Sequence, residues 1–234
     1  MKKGDLRKQE ILNTAEQLFC RKGYEETSIQ DILDRLNCSK GSFYHHFISK
    51  ESLLAEMCRK RAEQNFETAA LRVSEDADPA GNLNELFSGM IPLREEKISF
   101  LMMFLPIFRL PEGKSVRNSY CDALADCFRR EVIRQLSSGK EKGMIPCADP
   151  ETTADICLTL VNRLWVTACE MIISAEEEGK EADIAELLSL TDEYRTAMER
   201  ILTLPYGSLE LISIPMMKAT TEQIHNHWQP KNMI

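Results

Sequence analysis

The run Ser39-Lys40-Gly41-Ser42-Phe43-Tyr44-His45-His46-Phe47 offers only Phe43 and Phe47 to a core, while Lys40, Ser42, Tyr44, His45 and His46 face elsewhere. Hydroxyl, ammonium and imidazole donors at helical spacing suit phosphate oxygens and base edges, so the chemistry expected here is recognition of nucleic acid. From Arg35 to Lys50 the only charges are Arg35, Lys40 and Lys50, with no Asp or Glu among them.

The flanking residues say what positions these donors. Thr27 is the expected cap of a first short helix, with Gln30 three residues on completing a capping box. Ile29, Ile32, Leu33 and Leu36 fall on one face of that helix. Asn37 tolerates the left-handed conformation of a sharp turn, and Ser39 is the natural N-cap of the next helix. A longer helix from about Asp5 to Lys22 precedes them, with Ile11, Leu12, Ala15, Leu18 and Phe19 as its stripe, Gly23 as its stop and Tyr24 folding back. Another starts after Ser49, carries Leu53, Leu54, Met57 and Cys58, and runs to about Ala70. A helix-turn-helix whose second helix presents ammonium, hydroxyl and imidazole donors is built to lie in a major groove.

Residues from about Asp5 to Gln64 resemble the DNA-binding domain of the tetracycline-repressor-like (TetR) family of bacterial regulators. The resemblance rests on Ile11-Leu12, Ala15, Leu18-Phe19, Gly23-Tyr24, Thr27-Ser28-Ile29, Asp31-Ile32, Ser39 through Phe47, and Ser49-Lys50-Glu51 with Leu53-Leu54. Asn37 stands where that family has a glycine-like turn residue, and Phe43 where leucine is commoner. The resemblance implies an all-α fold of about nine helices. It divides the chain into a helix-turn-helix domain at 5–65 (motif about 28–47), a helical ligand-binding and dimerisation domain at 66–205, and a C-terminal extension at 206–234 of no assigned role. Periodicity along the chain reaches the same helix count.

The function implied is a ligand-responsive repressor, acting as a homodimer on a palindromic double-stranded operator. Ser28, Ser39, Lys40, Gly41, Ser42, Tyr44, His45, His46 and Lys50 are the expected DNA contacts. Tyr44 and His46 match family positions that touch backbone oxygens. Lys40 is the expected base reader, because a lysine donates to guanine O6 and N7. Gly41 allows close approach, and Ser39 and Lys50 sit at helix N-termini that favour phosphate. A small-molecule inducer is also implied. The run Phe100-Leu-Met-Met-Phe-Leu-Pro-Ile-Phe108 is its candidate wall, with Phe100, Met103, Phe104 and Phe108 joined by Tyr120, Asn162 and Trp165. The dimer is expected to form through helices near 151–174 and 184–204, where Leu158, Val161, Leu164, Leu187, Leu188 and Tyr194 are apolar. The rival reading is a coactivator or adaptor of the same fold that works through protein contacts.

Composition is compatible with this. The 234 residues carry a net charge of −8, but residues 1–65 hold 12 Lys+Arg against 10 Asp+Glu and the rest 17 against 27. The start of the chain has no apolar stretch of a secretory leader, and the apolar run Ile98–Leu110 is too short for a membrane span, so a cytoplasmic protein without a membrane partner is expected. Eight cysteines lack any Cys-x-x-Cys pairing and read as buried thiols, and no metal site or cofactor is expected. His225-x-His227 has only Glu222 near it, and Glu176-Glu177-Glu178 reads as solvated charge in a loop. No nucleophile-and-base pair or phosphate loop marks an enzyme.

Beyond Ala70 the breaks are expected at Asp76–Gly81 with Pro79, at Pro106, at Pro111–Lys114, at Gly139–Gly143, at Asp149-Pro150 and at Glu176–Asp183. In the last segment, Leu209–Pro215 is expected to be extended and Lys218–Trp228 helical.

Overall fold

In a computed structural model, which describes residues 3–93, 98–111 and 113–228, the cutting points are made by caps and glycines. The helices are α1 (Lys3–Lys22), α2 (Ile29–Leu36), α3 (Lys40–Tyr44), α4 (Lys50–Ala70), α5 (Pro79–Met90), α6 (Ile98–Phe104), α7 (Gly113–Glu141), α8 (Pro150–Glu177), α9 (Ile184–Leu202) and α10 (Ile214–His227). A 3-10 turn at Leu105–Arg109 follows α6, because Pro106 removes a helical donor. Among the described residues there is no strand, so the all-α expectation holds with ten helices instead of about nine.

Pro79 opens α5, with Asp78 as its N-cap, where the sequence reading put it in a turn. Asp149-Pro150 begins α8 by the same device, a capping carboxylate before a proline whose fixed φ suits the first turn. The apolar-rich run Glu95–Phe108 also reads as a helix from its sequence, and Glu95 lies outside the described residues. α10 begins at Ile214 under a Ser213 cap, earlier than Lys218, and Leu209–Ser213 forms no strand.

The chain forms two compact units. One joins Met1–Arg61 to Ser99–Tyr120; the other joins Ala62–Ile98 to Cys121–Ile234. In the first, Ile11, Leu12, Ala15, Phe19, Ile32, Leu33, Phe43, Phe47, Leu53 and Leu54 are buried. α6 and the 3-10 turn belong to this unit: Arg61 Nη2 donates to Glu16 at 2.7 Å and its guanidinium lies 4.9 Å from the Phe100 ring centroid.

In the second unit, α8 and α9 form the principal packing pair. Leu158, Val161, Leu164 and Leu187 are spent on the core of the single chain, whereas Leu188 and Tyr194 are half-buried. Those three leucines and one valine therefore do not supply an outward dimer face; Ile156 and Ile201 are the exposed large apolar residues on these helices. Among the described residues α8, not the 98–110 run, is the one helix long and apolar enough to cross a membrane by length and composition, and most of it is buried inside the protein. Asn82 Nδ2 donates to Gln135 Oε1 at 3.0 Å and ties α5 to α7. Gly89 lets α5 approach the end of α4: a Cβ there would fall 2.5 Å from that of Ala69.

The C-terminal segment is built into this unit. Glu199, 2% exposed, takes Arg195 Nη1 at 3.0 Å and also accepts from the backbone N–H groups of Gly207 at 3.1 Å and Leu209 at 2.9 Å. Arg195 also pairs with Asp192 and stacks 4.3 Å from the Tyr206 ring. Farther on, His225 Nδ1 lies 3.0 Å from the buried carboxylate of Glu176. Two sequence expectations are corrected here: Glu176 is buried and not solvated, and His225 has a carboxylate partner 49 residues away.

Candidate nucleic-acid interface

Each element of the helix-turn-helix is capped by its own neighbours. Ser28, not Thr27, caps α2: its Oγ accepts from the Asp31 N–H at 3.1 Å, while Asp31 Oδ2 accepts from the Ser28 N–H at 2.8 Å. Thr27 is instead fully buried and donates to the Gly23 carbonyl at 2.8 Å, locking the turn after α1. Lys22 closes on the other oxygen of Asp31 at 2.8 Å. That ammonium, with the Ser28 contacts, holds the Asp31 carboxyl far below the usual range. Asn37 takes φ 48° to turn the chain, and Ser39 caps α3 by accepting from the Ser42 N–H at 3.3 Å. Ser49 and Ser52 cap the start of α4 reciprocally, at 3.0 and 3.1 Å.

α3 is anchored by one ring. Phe43 is fully buried against Phe47, with centroids 5.7 Å apart, which leaves the rest of the short helix outside. Ser28, Ser39, Lys40, Gly41, Tyr44 and His45 are exposed, and Ser42 and His46 half-buried. Tyr44 is braced edge-on by Phe43 at 5.5 Å. A Cβ on Gly41 would meet nothing nearer than Ser39 Oγ at 3.9 Å, so the fold itself has room for a side chain there.

The His45 and His46 rings stand 4.8 Å apart, and burial, then His45, Lys8 and Arg7, keep the His46 imidazole below its ordinary pKa. Lys50 differs from its neighbours: its ammonium turns inward, donating to the Tyr24 carbonyl at 3.0 Å and the Thr27 carbonyl at 3.2 Å, 4.1 Å from the Tyr24 ring centroid. Eight of the nine candidate residues thus share the α2–α3 surface with side chains or open backbone outward, and Lys50 holds the α1–α2 turn against α4. The interlock of Lys50 with Tyr24 joins residues 26 apart and leaves no local signal in the sequence.

The ligand candidates fall into two groups. Phe100, Met103, Phe104 and Tyr120 are buried in the first unit, with Phe100 stacked on Phe104 at 5.3 Å and both rings 5.4 Å from Tyr120. Phe108 adds an edge contact to Phe104 at 5.5 Å. In the second unit, Trp165 Nε1 donates to Asn162 Oδ1 at 3.0 Å, and Asn162 Nδ2 to the Cys121 carbonyl at 2.9 Å. Two surface depressions, one at Asn13, Glu16 and Cys20, the other at Leu188, Tyr206 and Ile212, involve none of these seven residues. Cys58, Cys147, Cys157 and Cys169 are buried, and burial pushes the Cys157 thiol up to about 12; Cys20, in contrast, is exposed.

Residues 11–57 match the family model of bacterial regulatory proteins, tetR family. The HTH-type transcriptional repressor KstR2 of Mycobacterium tuberculosis is 35% identical over 81 residues, which span 35% of this chain and 40% of that protein. The HTH-type transcriptional regulator UidR of Escherichia coli is 26% identical over 183 residues, 75% of this chain and 86% of that protein. Relatives 35–46% identical match over only 18–41% of their own length. The crystal structure of RolR in complex with resorcinol shares the fold, with a TM-score of 0.58 over 98% of both chains at 16% identity. The likeness to the bacterial regulatory proteins of the tetR family is thus carried by residues 11–57, which hold the helix-turn-helix described above.

Proposed function

We propose that this protein is a sequence-specific, ligand-responsive transcriptional repressor that binds an operator as a homodimer. The observation that carries this is α3: a helix fastened by a single buried ring, with Lys40, Ser42, Tyr44, His45 and His46 presented on a family-type scaffold. Lys40 reads a base edge, while Ser28, Ser39, Tyr44 and His46 hold phosphates and set the register. Gly41 has no steric reason within the fold to lack a side chain, which fits a helix that closes on an outside surface. Two copies would place two α3 helices one turn of DNA apart, roughly 34–36 Å. Outward residues of α8 and α9, Ile156 and Ile201 among them, are the surface assigned to that pairing.

The inducer acts, in this reading, by opening the aromatic cluster of Phe100, Phe104 and Tyr120. That cluster belongs to the same compact unit as the helix-turn-helix and touches it through Arg61 and Glu16. RolR is described with resorcinol, a small aromatic, and a ligand of that size is the class to screen first. A ligand shifts DNA affinity only by its unequal affinity for the two conformations. The protein is read as a cytoplasmic regulator without catalytic activity or a cofactor.

The test is a fluorescence-anisotropy titration against the DNA upstream of its own gene and a scrambled duplex, over a salt series. Tight binding to the first alone, with a steep salt slope, supports the reading. Equal weak binding to these and to a genome-wide pool would favour the adaptor alternative.

A further inference from the structure

We propose that DNA binding by this protein takes up a proton at His46, with a backbone phosphate held between that ring and the first turns of α1. The proposal rests on the nucleic-acid reading above and adds to it both a new contact, Arg7, and a sensitivity to pH.

The two imidazoles stand at the C-terminal end of the recognition helix, 4.8 Å apart and edge to face. His45 is exposed and His46 half-buried. From α1, Asp5, Arg7 and Lys8 lie within electrostatic reach of His46. Lys8 Nζ lies 5.9 Å from the Phe47 ring centroid, and that ring is 6.3 Å from His46. From α4 comes Glu56, paired with Lys8, and Arg7 pairs with Glu10 at 2.8 Å. The standing cations are thus already matched by carboxylates, with Asp5 a further acid at the site. An incoming phosphate finds its additional positive charge at the His46 imidazole.

The sign follows from the free protein. Burial, the second imidazole, Lys8 and Arg7 all disfavour protonated His46, so the neutral ring predominates at neutral pH. A phosphate beside it reverses that balance, because it favours the charged, donating form. Binding and proton uptake are then linked: affinity rises as pH falls, at up to roughly tenfold per pH unit for one fully coupled proton. The gain levels off below the pKa of the free ring, where the proton is already bound.

Phosphate contacts are blind to sequence, so the probe is a fluorescein-labelled random-sequence duplex at low salt, titrated with the full-length protein from about pH 8 down to about pH 6. The expected result is a rise of about tenfold or more in affinity, with a log–log salt slope about 0.9 steeper at the acid end for each proton taken up. His46→Gln keeps a neutral hydrogen-bonding side chain and should remove the pH gradient, whereas His45→Gln should keep one. Arg7→Gln leaves both rings in place. It should weaken binding and, by lifting repulsion on His46, move the gradient to higher pH. Wild-type affinity independent of pH overturns the proposal alone, as does a His46→Gln variant that keeps the full gradient. An unmoved gradient in Arg7→Gln overturns the phosphate seat at α1. No binding to duplex DNA at any pH overturns this proposal together with the nucleic-acid reading beneath it.

Discussion

The helix-turn-helix and the C-terminal segment are both short and rich in polar residues, yet they are held in opposite ways. Between Ser28 and Ser52 the decisive hydrogen bonds join residues three apart: Ser28 with Asp31, Ser39 with Ser42, Ser49 with Ser52. Beyond Leu204 they reach across the chain, from Gly207 and Leu209 to Glu199, from Glu210 to Asn84 at 2.6 Å, and from His225 to Glu176. Locally capped helices keep their shape while one face is left open to a partner. A segment held by distant buried charges keeps its place only while each anchor stands, and damage to one anchor passes to what it holds.

The sharpest test of that contrast is Glu199→Ala. It leaves buried Arg195 with Asp192 as its remaining carboxylate and the Leu209 and Gly207 N–H groups without this acceptor, and should cost about 3–5 kcal/mol in urea denaturation. A loss below 1 kcal/mol would show that the tail is not held by this carboxylate. Lys50→Met comes next, at about 2 kcal/mol of stability, since a charged donor to two carbonyls is removed. If Lys50→Met instead leaves the melting curve alone and lowers DNA affinity, the inward contacts are incidental and the two lysines Lys40 and Lys50 act alike.

Lys40→Ala should leave stability unchanged and relax discrimination at one base pair by about 1–3 kcal/mol, read by binding to a panel of single-base operator variants. Ser28→Ala should cost about 1 kcal/mol of stability through the lost N-cap. The smallest effect concerns pH. Arg59, followed by Lys8, holds the Glu56 carboxyl at about 2, below its usual 4.5. Its contribution is complete above the ordinary carboxylate pKa and is lost as pH falls toward about 2. For a pair this exposed the loss is below about 1 kcal/mol, and Glu56→Gln should flatten the acid limb of a thermal-melt series by that amount.

What could be read from the sequence follows the same division. The αL turn at Asn37, the Ser39 and Ser49 caps, the Gly23 stop and the Asp149-Pro150 start each depend on residues within one helical turn, so all were legible. The one-residue error at Thr27 arose because its hydroxyl is committed backward, to Gly23, which spacing alone does not reveal. Pro79 was misplaced although the rule that places Pro150 applies to it equally. The inward contacts of Lys50 and the pairing of Glu176 with His225 leave no such signal: the partners lie 23–49 residues apart, and no periodicity reports such a meeting. The 100–108 run declared its apolar character, but the stacking of Phe100 on Phe104 against Tyr120 is a property of the assembled unit.

The chain passes from one compact unit to the other three times, after Arg61, after Ile98 and after Tyr120. For anyone exchanging sensing and reading parts between proteins, this sets where the scissors go. A chimaera joined once, after α4, would carry away the reading head and abandon the strip Ser99–Tyr120, leaving Arg61 without Phe100 and Cys20 without the Ser99 carbonyl. The transplantable module is two stretches of chain, and a graft that moves both keeps the contacts by which the head would be informed.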